Sequence, residues 1–405
     1  MSLVTGPLLP LIALAWPLLL GLAAAWPAWR ARSLWVLPVA PLPALLLALA
    51  GTDGRTVVPQ LLLGTVLMLD PAGRLLLGVV ALIWSAAGVY ALAYFRVPRK
   101  PAVFAGFWCL TLSGNLGVML AADVATFYVA FAAVSLAAYW LVAHDATRRA
   151  LSAGRVYLVL ALLGEALLLV GLLLSAQAAG GLEVAAVAAA LAEAPFALTC
   201  LVLGFGLKAG MLPLHMWLPL AHAAAPTPAS ATLSGAIVKA GIIGLVRFLP
   251  DDQALWSGAL IWLGLLGAYF GVLVGLTQRN AKTVLAYSTI SQMGLVIAAL
   301  GAGLRAEAVL YAAHHGLAKG ALFLGVGVLA ATGRRHLPWV GALAALAALS
   351  LAGAPLSGGA LAKAAIKPGF VDWQKGAVAL SAAGTAVLLG RALWLSARGH
   401  AAADD

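Results

Sequence analysis

Runs of roughly 18–25 apolar residues recur along this chain, the length that carries an α-helix across a bilayer. Within hydrocarbon the protein itself must satisfy every backbone polar group, so such a chain can form only spanning helices or a closed barrel. Period-2 alternation is absent, which argues against the barrel. Thirteen candidate spans follow, at about 7–26, 34–50, 74–95, 102–121, 124–143, 156–175, 196–218, 230–249, 255–276, 283–302, 307–331, 338–366 and 377–397. The composition agrees: 64% of the 405 residues are hydrophobic and 9% are charged. The expected fold is therefore an all-α polytopic membrane protein, residues 1–405 forming a single integral domain in the lipid bilayer. The first apolar run lacks a basic leader and is interrupted by Pro10 and Pro17. It is expected to stay as the first span and not to act as a signal peptide.

The net charge of +11 does not indicate a nucleic-acid partner, because the basic residues are dispersed over short loops. Alternate loops carry them: Arg30 and Arg32; Arg96, Arg99 and Lys100; Arg148, Arg149 and Arg155; Arg279 and Lys282; Arg334 and Arg335. The opposite loops hold Glu183, Glu193, Asp251 and Asp252 with scattered bases. This is the positive-inside pattern. It predicts an external N-terminus and, with thirteen spans, a cytoplasmic C-terminus. Cys109 and Cys200 are isolated within spans and suggest no metal site. No phosphate-binding glycine loop stands out, so no cofactor is expected. The energy for any work then comes from an ion gradient or a partner.

Against this apolar background, the segment from Lys208 to Lys239 stands out. It contains two lysines, two histidines (His215 and His222) and several helix breakers. Further on come His314, His315, Lys319 and Lys363. A charge at the bilayer centre costs about 2.5–3.5 kcal/mol on insertion scales, so such groups face partners or internal water. Gly210, Pro213 and Pro219 interrupt span seven around Lys208; Gly353, Pro355, Gly358 and Gly359 interrupt span twelve before Lys363. Paired breaks of this kind mark ion sites in transporters. A line of titratable groups in such a setting predicts a path for protons or Na+. Lys208 is too far from either end of its span to snorkel; Lys239 is similarly central, whereas Arg247 lies near the edge and is expected to anchor its helix. Asp70, Asp123 and Arg391 lie near span ends, where interface anchoring is the default.

Glu165 is the one acidic residue deep in a span. Burial disfavours a lysine's charge and a nearby carboxylate favours it, so moving or neutralising the carboxylate switches the lysine between holding and releasing a proton. Histidine changes charge near neutrality and suits a relay. Neighbouring helical residues point about 100° apart, so His314 and His315 cannot both face one axis. His315 is favoured because Lys319 lies one turn beyond it on the same face; His314 is then expected to pack or to face lipid. His215 and His222 are either relay groups or part of the signature that shapes the break. Ser288, Thr289, Ser291 and Gln292 form a polar stripe along span ten, suited to a water chain or to helix–helix hydrogen bonding.

In order, LKAGMLPLHMWLPLAHAAAPTPASATLSGAIVKAG (207–241), AKTVLAYSTISQMGLVIAALG (281–301), HHGLAKGALFLGVG (314–327) and GAPLSGGALAK (353–363) resemble the antiporter-like subunits. These are proton-pumping membrane subunits of respiratory complex I, also found in multi-subunit cation/proton antiporters and membrane-bound hydrogenases. LDPAGRLLLGVV (69–80) and ADVATFYVAF (122–131) fit the same pattern. The resemblance implies peripheral N-terminal spans (1–100) and two inverted five-helix repeats (101–250 and 251–397), each with a broken helix. It also implies a polar axis of lysines, histidines and a glutamate: Lys208, Lys239, Glu165, His315, Lys319 and Lys363, with His314, His215 and His222 beside them. The setting it implies is a bacterial cytoplasmic (inner) membrane and a hetero-oligomer with other protein subunits. Where the family usually carries a glutamate in span five, this chain has Ala132. Glu165, at nearly the same depth, is expected to replace it as the partner of Lys208. The chain also ends one span short of the family's fourteen.

Three kinds of partner fit: a redox-driven complex with quinone or hydrogen chemistry in other chains, a cation/proton antiporter, or a two-component inorganic-carbon uptake complex. In the last, a zinc-dependent subunit hydrates CO2 and this chain supplies proton flow. Ala132 and the missing span weaken a place in a stacked pump and favour the third. A purely structural scaffold does not account for the deep titratable residues.

Overall fold

The computed structural model describes residues 6–51, 54–95, 100–250, 254–332 and 337–398. Arg96, Arg99, Asp251, Asp252, Arg334 and Arg335, which contribute to the charge asymmetry, lie outside the described residues. The chain is built from helices α1 (Leu9–Ala25), α2 (Val36–Val39) and α3 (Leu42–Ala50), then a hairpin of β1 (Arg55–Val58) and β2 (Thr65–Met68). There follow α4 (Pro71–Tyr94), α5 (Pro101–Leu120), α6 (Val124–Val142), α7 (Arg148–Ala179), α8 (Val184–Ala190) and α9 (Pro195–Ala209). Next come α10 (Trp217–Ala224), α11 (Thr227–Thr232), α12 (Lys239–Phe248), α13 (Ala254–Thr277) and α14 (Ala281–Gly301). The last are α15 (Arg305–Thr332), α16 (Leu337–Ala352), α17 (Gly358–Ile366) and α18 (Asp372–Ala397).

The chain is a multi-pass integral membrane protein. Ten helical segments among the described residues are long and apolar enough to cross a membrane. Several of the apolar runs are broken in two: 34–50 is α2 with α3, 196–218 is α9 with α10, 230–249 is α11 with α12, and 338–366 is α16 with α17. The hairpin and α8 are additions that span reading alone does not find. β1 and β2 pair in antiparallel register from Arg55 opposite Met68 to Val58 opposite Thr65.

Helix starts follow the chemistry of their first residues. Asp70 caps Gly73 at the start of α4, and the Asp123 carboxylate accepts from Thr126 (2.8 Å) at the start of α6. The Asn280 side chain accepts from Lys282 (2.9 Å) at the start of α14. Each satisfies a donor that the first helical turn would leave open. The Asp123 carboxylate also accepts from the Val66 backbone (2.7 Å), which ties the hairpin to α6.

The centre consists of α14 and the segment from Thr227 to Phe248, the most enclosed spans. Gly264 on α13 and Gly294 on α14 let those helices close to backbone contact, since a Cβ on either would strike the other's carbonyl oxygen. Small residues at such crossings are the usual means of helix association in lipid.

Arg247, in the last turn of α12, anchors its helix as expected, and it does so inside the protein. It pairs with Asp70 (2.7 Å) and donates to the carbonyls of Val118, Met119 and Ala121 (2.9, 2.7 and 3.0 Å). These carbonyls close the C-terminal end of α5, where no helical donor reaches them. Arg247→Ala is expected to destabilise the protein by about 3 kcal/mol, the scale of removing one partner of a buried ion pair. Thermal unfolding in detergent reads this; an unchanged midpoint would mean water serves these carbonyls. Arg391 similarly donates to the Gln278 carbonyl (2.7 Å), joining α18 to the end of α13.

Candidate proton pathway

The first site forms where α9 ends. Gly210 takes a left-handed conformation (φ 76°), which stops the helix one residue past Lys208. The chain then turns through Met211–Met216 and resumes as α10. The Trp217 ring N–H donates back to the Leu207 carbonyl (2.8 Å), holding the two half-helices together. Lys208 therefore sits at a helix C-terminus, where the backbone favours a cation. Its side chain is buried; Nζ donates to Ser135 Oγ (2.9 Å) and Tyr157 Oη (3.3 Å). The Tyr157 hydroxyl donates to the Ser135 carbonyl (2.8 Å), and the Phe131 and Tyr157 rings lie 5.7 Å from Nζ. Glu165 of α7 is buried against the same Ser135 hydroxyl, within electrostatic reach of Lys208. No direct ion pair joins the two among the described residues, and one Glu165 oxygen has no protein hydrogen-bond partner. Ser135 lies three residues beyond Ala132, on the same face of α6.

The second site forms at a π-turn. Between α11 and α12, residues Leu233–Ile237 are wound as a π-helix, a widening that recurs at functional positions because it redirects backbone carbonyls. The Ser234 carbonyl accepts from Lys239 Nζ (2.7 Å), and the same ammonium lies 2.7 Å from His315 Nδ1. The Ser234 hydroxyl pairs with Thr289 Oγ1 (2.7 Å), which reaches the Leu285 carbonyl (3.2 Å). That carbonyl also accepts from Lys319 Nζ (2.8 Å). These contacts gather His315, Lys239, Ser234, Thr289 and Lys319 into one cluster, joined in part through the Ser234 and Leu285 backbone carbonyls, which only accept. All five residues are fully enclosed. Close approach is possible because Gly316, next to His315, faces Gly235 and the Lys239 side chain without a Cβ of its own. His222 lies beside this set, stacked on Phe323 (4.7 Å), with neither ring nitrogen bonded to protein.

The third site forms at the second break. Gly353 (φ 95°) ends α16, and the Ser357 side chain caps the start of α17. Lys363, nearly buried, donates to the Ala352 carbonyl (2.9 Å) across the break. His314 does not face lipid: Nε2 lies 2.9 Å from Ser350 Oγ, and its ring packs where side chains on Gly358 and Gly359 would collide with it. The 100° step between the histidines therefore sends each to a different lysine, His315 to Lys239 and His314 towards the Lys363 break. Of the two alternatives for His314, packing or lipid, the structure has it packed against the α16–α17 break.

Polar residues of α14 bridge the second and third sites to neighbouring helices. Gln292 accepts from the Tyr311 hydroxyl (2.9 Å) and donates to Thr385 Oγ1 (2.9 Å). Ser288 and Ser291 are buried hydroxyls without a protein partner. His215 lies apart from the lysines: its ring meets the Phe270 edge (4.9 Å), and it lines a cavity of about 870 Å³ with Arg149, Gln278, Arg279, Asn280 and Tyr287. Those residues lie at the ends of α7, α13 and α14, on the positive-loop side. Sequence reasoning missed Ser135, Tyr157, Ser234, Tyr311, Thr385 and Lys282, whose Nζ donates to the Ala225 carbonyl (2.7 Å). Of these only Ser234 lies in the segment that drew attention.

The arrangement can pass protons. A nitrogen–nitrogen separation of 2.7 Å lies in the range for direct transfer. Lysine and imidazole can each hold or release the shared proton, and the hydroxyls of Ser234 and Thr289 both donate and accept.

Glu165→Gln keeps the size of the Glu165 side chain and removes its charge. Roughly ten-fold slower proton uptake in vesicles is expected, the scale of about 1.4 kcal/mol lost at one charged hydrogen-bonded group. Wild-type rates and pH dependence would exclude Glu165 as the partner of Lys208.

The family profile described as "NADH:quinone oxidoreductase/Mrp antiporter, TM" matches residues 121–389, which include all nine candidate residues. Hydrogenase-4 component B of Escherichia coli is 33% identical over 327 residues, 71% of this chain and 48% of that protein. NAD(P)H-quinone oxidoreductase chain 4 of Picosynechococcus is 32% identical over 290 residues, 68% of this chain and 54% of that one. The chain spans about half the length of these curated relatives. Among solved structures, the Mrp complex from Dietzia aligns over 96% of this chain and 79% of its counterpart, with a TM-score of 0.85 at 23% identity. The two share a fold.

Proposed function

Since the chain belongs to the NADH:quinone oxidoreductase/Mrp antiporter membrane family, we propose that it translocates protons as one subunit of a multi-subunit complex. The observation that carries this reading is the buried Lys239–His315 contact at 2.7 Å, with Lys319 held close by on the Leu285 carbonyl. Lys208 with Glu165 lies towards one end of the path, and His314 with Lys363 towards the other. His215 and its cavity form the aqueous access on the positive-loop side, and His222 supports the central lysines through water. Residues 101–250 and 251–397 act as the two halves, each contributing one broken helix. Protons are the favoured ion, because amines and imidazoles bind H+ and repel Na+. Reconstituting the chain in vesicles and following acidification under an imposed potential tests the reading; no flux above protein-free vesicles would reject it.

The membrane is the bacterial cytoplasmic membrane, with the N-terminus outside and the C-terminus cytoplasmic. The positive-loop asymmetry supports this, and reporter fusions at each terminus test it. The partner is the finer question. A zinc-dependent CO2-hydrating subunit was favoured by the loss of the span-five carboxylate at Ala132. Glu165, buried against Ser135 near Lys208, supplies a carboxylate from the next helix and removes much of that support. Relatives named as hydrogenase and quinone oxidoreductase components, and the Mrp antiporter fold, support the redox and antiporter readings. Isolating the complex from native membranes decides: an iron–sulfur or nickel protein favours redox coupling, further antiporter-type chains favour cation exchange, and a soluble zinc protein favours carbon uptake.

A further inference from the structure

Between α1 and α5 runs an open groove of about 750 Å³. Leu18, Leu22, Val103 and Leu110 form its walls, and Arg30 and Lys100 stand at one end. The walls are small where the helices approach. Gly21 abuts Cys109, while Gly106 faces open space, so a side chain there would enter the groove. From Lys100 to Leu110 the groove follows ten residues of helix, about 15 Å at 1.5 Å per residue. That is half of a hydrocarbon core of about 30 Å, the depth of a single leaflet.

The charged end is built for an interface. Arg30 and Lys100 are exposed, and among the described residues neither has a carboxylate partner. Arg30 belongs to a short 3-10 segment, Pro27–Trp35, that follows α1. Trp26, just before it, and Trp29 and Trp35 within it are 68%, 54% and 65% exposed. Exposed tryptophans next to basic residues at helix ends mark the headgroup level of a bilayer. An apolar slot one leaflet deep, closed at headgroup level by two free cations, fits one kind of occupant. We propose that this groove holds an anionic phospholipid, its phosphate on Arg30 and Lys100 and an acyl chain between α1 and α5. Basic pockets between membrane helices recognise anionic headgroups in this way. The groove lies on α1 and α5, neither of which carries a residue of the proposed proton path.

The test uses the full chain, purified in detergent, and native mass spectrometry with dioleoylphosphatidylglycerol or dioleoylphosphatidylcholine. The wild-type protein is expected to retain one phosphatidylglycerol with a preference of roughly thirty-fold over phosphatidylcholine, the product of two charge contacts. R30Q/K100Q, an exposed pair whose loss leaves the fold intact, should bring the two lipids to parity. Gly106→Trp should lose both lipids while eluting and melting as the wild type. Equal retention of the two lipids by wild type, or an undiminished preference in R30Q/K100Q, would overturn the proposal. So would retention of neither lipid, which would leave the groove to a helix of another subunit.

Discussion

Lys239→Met is expected to lower proton flux in reconstituted vesicles by on the order of 10²-fold, the contribution of one positioned proton-transfer group. Its Nζ alone joins the Ser234 carbonyl to His315 Nδ1, both at 2.7 Å. Methionine keeps the apolar stem and fills the same buried space, so insertion and folding should survive. Lys239→Arg sharpens the test. Arginine keeps the charge and the donors but does not release its proton in a protein. If Lys239 carries the proton, Arg should be as inactive as Met. If it only supplies positive charge to orient its neighbours, Arg should restore most of the flux. A Met variant within about three-fold of the wild type would remove Lys239 from the path altogether. His315→Gln should behave like Lys239→Met, because glutamine can accept and donate but cannot shuttle the proton between its two polar atoms.

Much of this geometry was legible in the sequence because lipid allows few choices. Lys208, Lys239, Glu165, Lys319 and Lys363 stood out since a charged residue has no cheap place within an apolar run. The helix breaks were equally visible, as Gly210 and Gly353 do what glycine does at a helix end. The partners of these groups were not visible. Ser135, Tyr157 and Ser234 are ordinary constituents of membrane helices, and nothing in one sequence separates a hydroxyl facing a lysine from one bonding its own helix. Ser234 is decided by the π-turn, a property of backbone winding that no residue type announces. The histidine pair shows the same limit. Helical geometry correctly stated that His314 and His315 diverge, but whether His314 met lipid or protein depended on the α16–α17 break packing against it. The hairpin of β1 and β2 escaped because four-residue strands are too short for alternation to register. Depth counting put Glu165 level with Ala132, and in the structure it lies near Lys208 with Ser135 as their common neighbour.

Lys208→Ala and Lys363→Ala are each expected to reduce net transport to near background, although the two residues belong to different broken helices. Lys208 contacts Ser135 and Tyr157; Lys363 contacts the Ala352 carbonyl near His314. The second site lies between them in the proposed path, so neither end group has a bypass. For groups in series, one break already stops net flow. The double variant should therefore be no slower than the slower single variant, which is strong non-additivity between residues that share no contact. Independent parallel routes predict otherwise: each single variant would keep part of the flux, and the double variant would lose the sum. A path confined to the first half predicts a third pattern, with Lys208→Ala inactive and Lys363→Ala close to wild type. Initial rates of proton uptake in the two single variants and the double variant, at matched protein incorporation, separate these cases. Near-normal flux in Lys363→Ala would remove α17 and its break from the mechanism and leave exit to a route from Lys239 or Lys319.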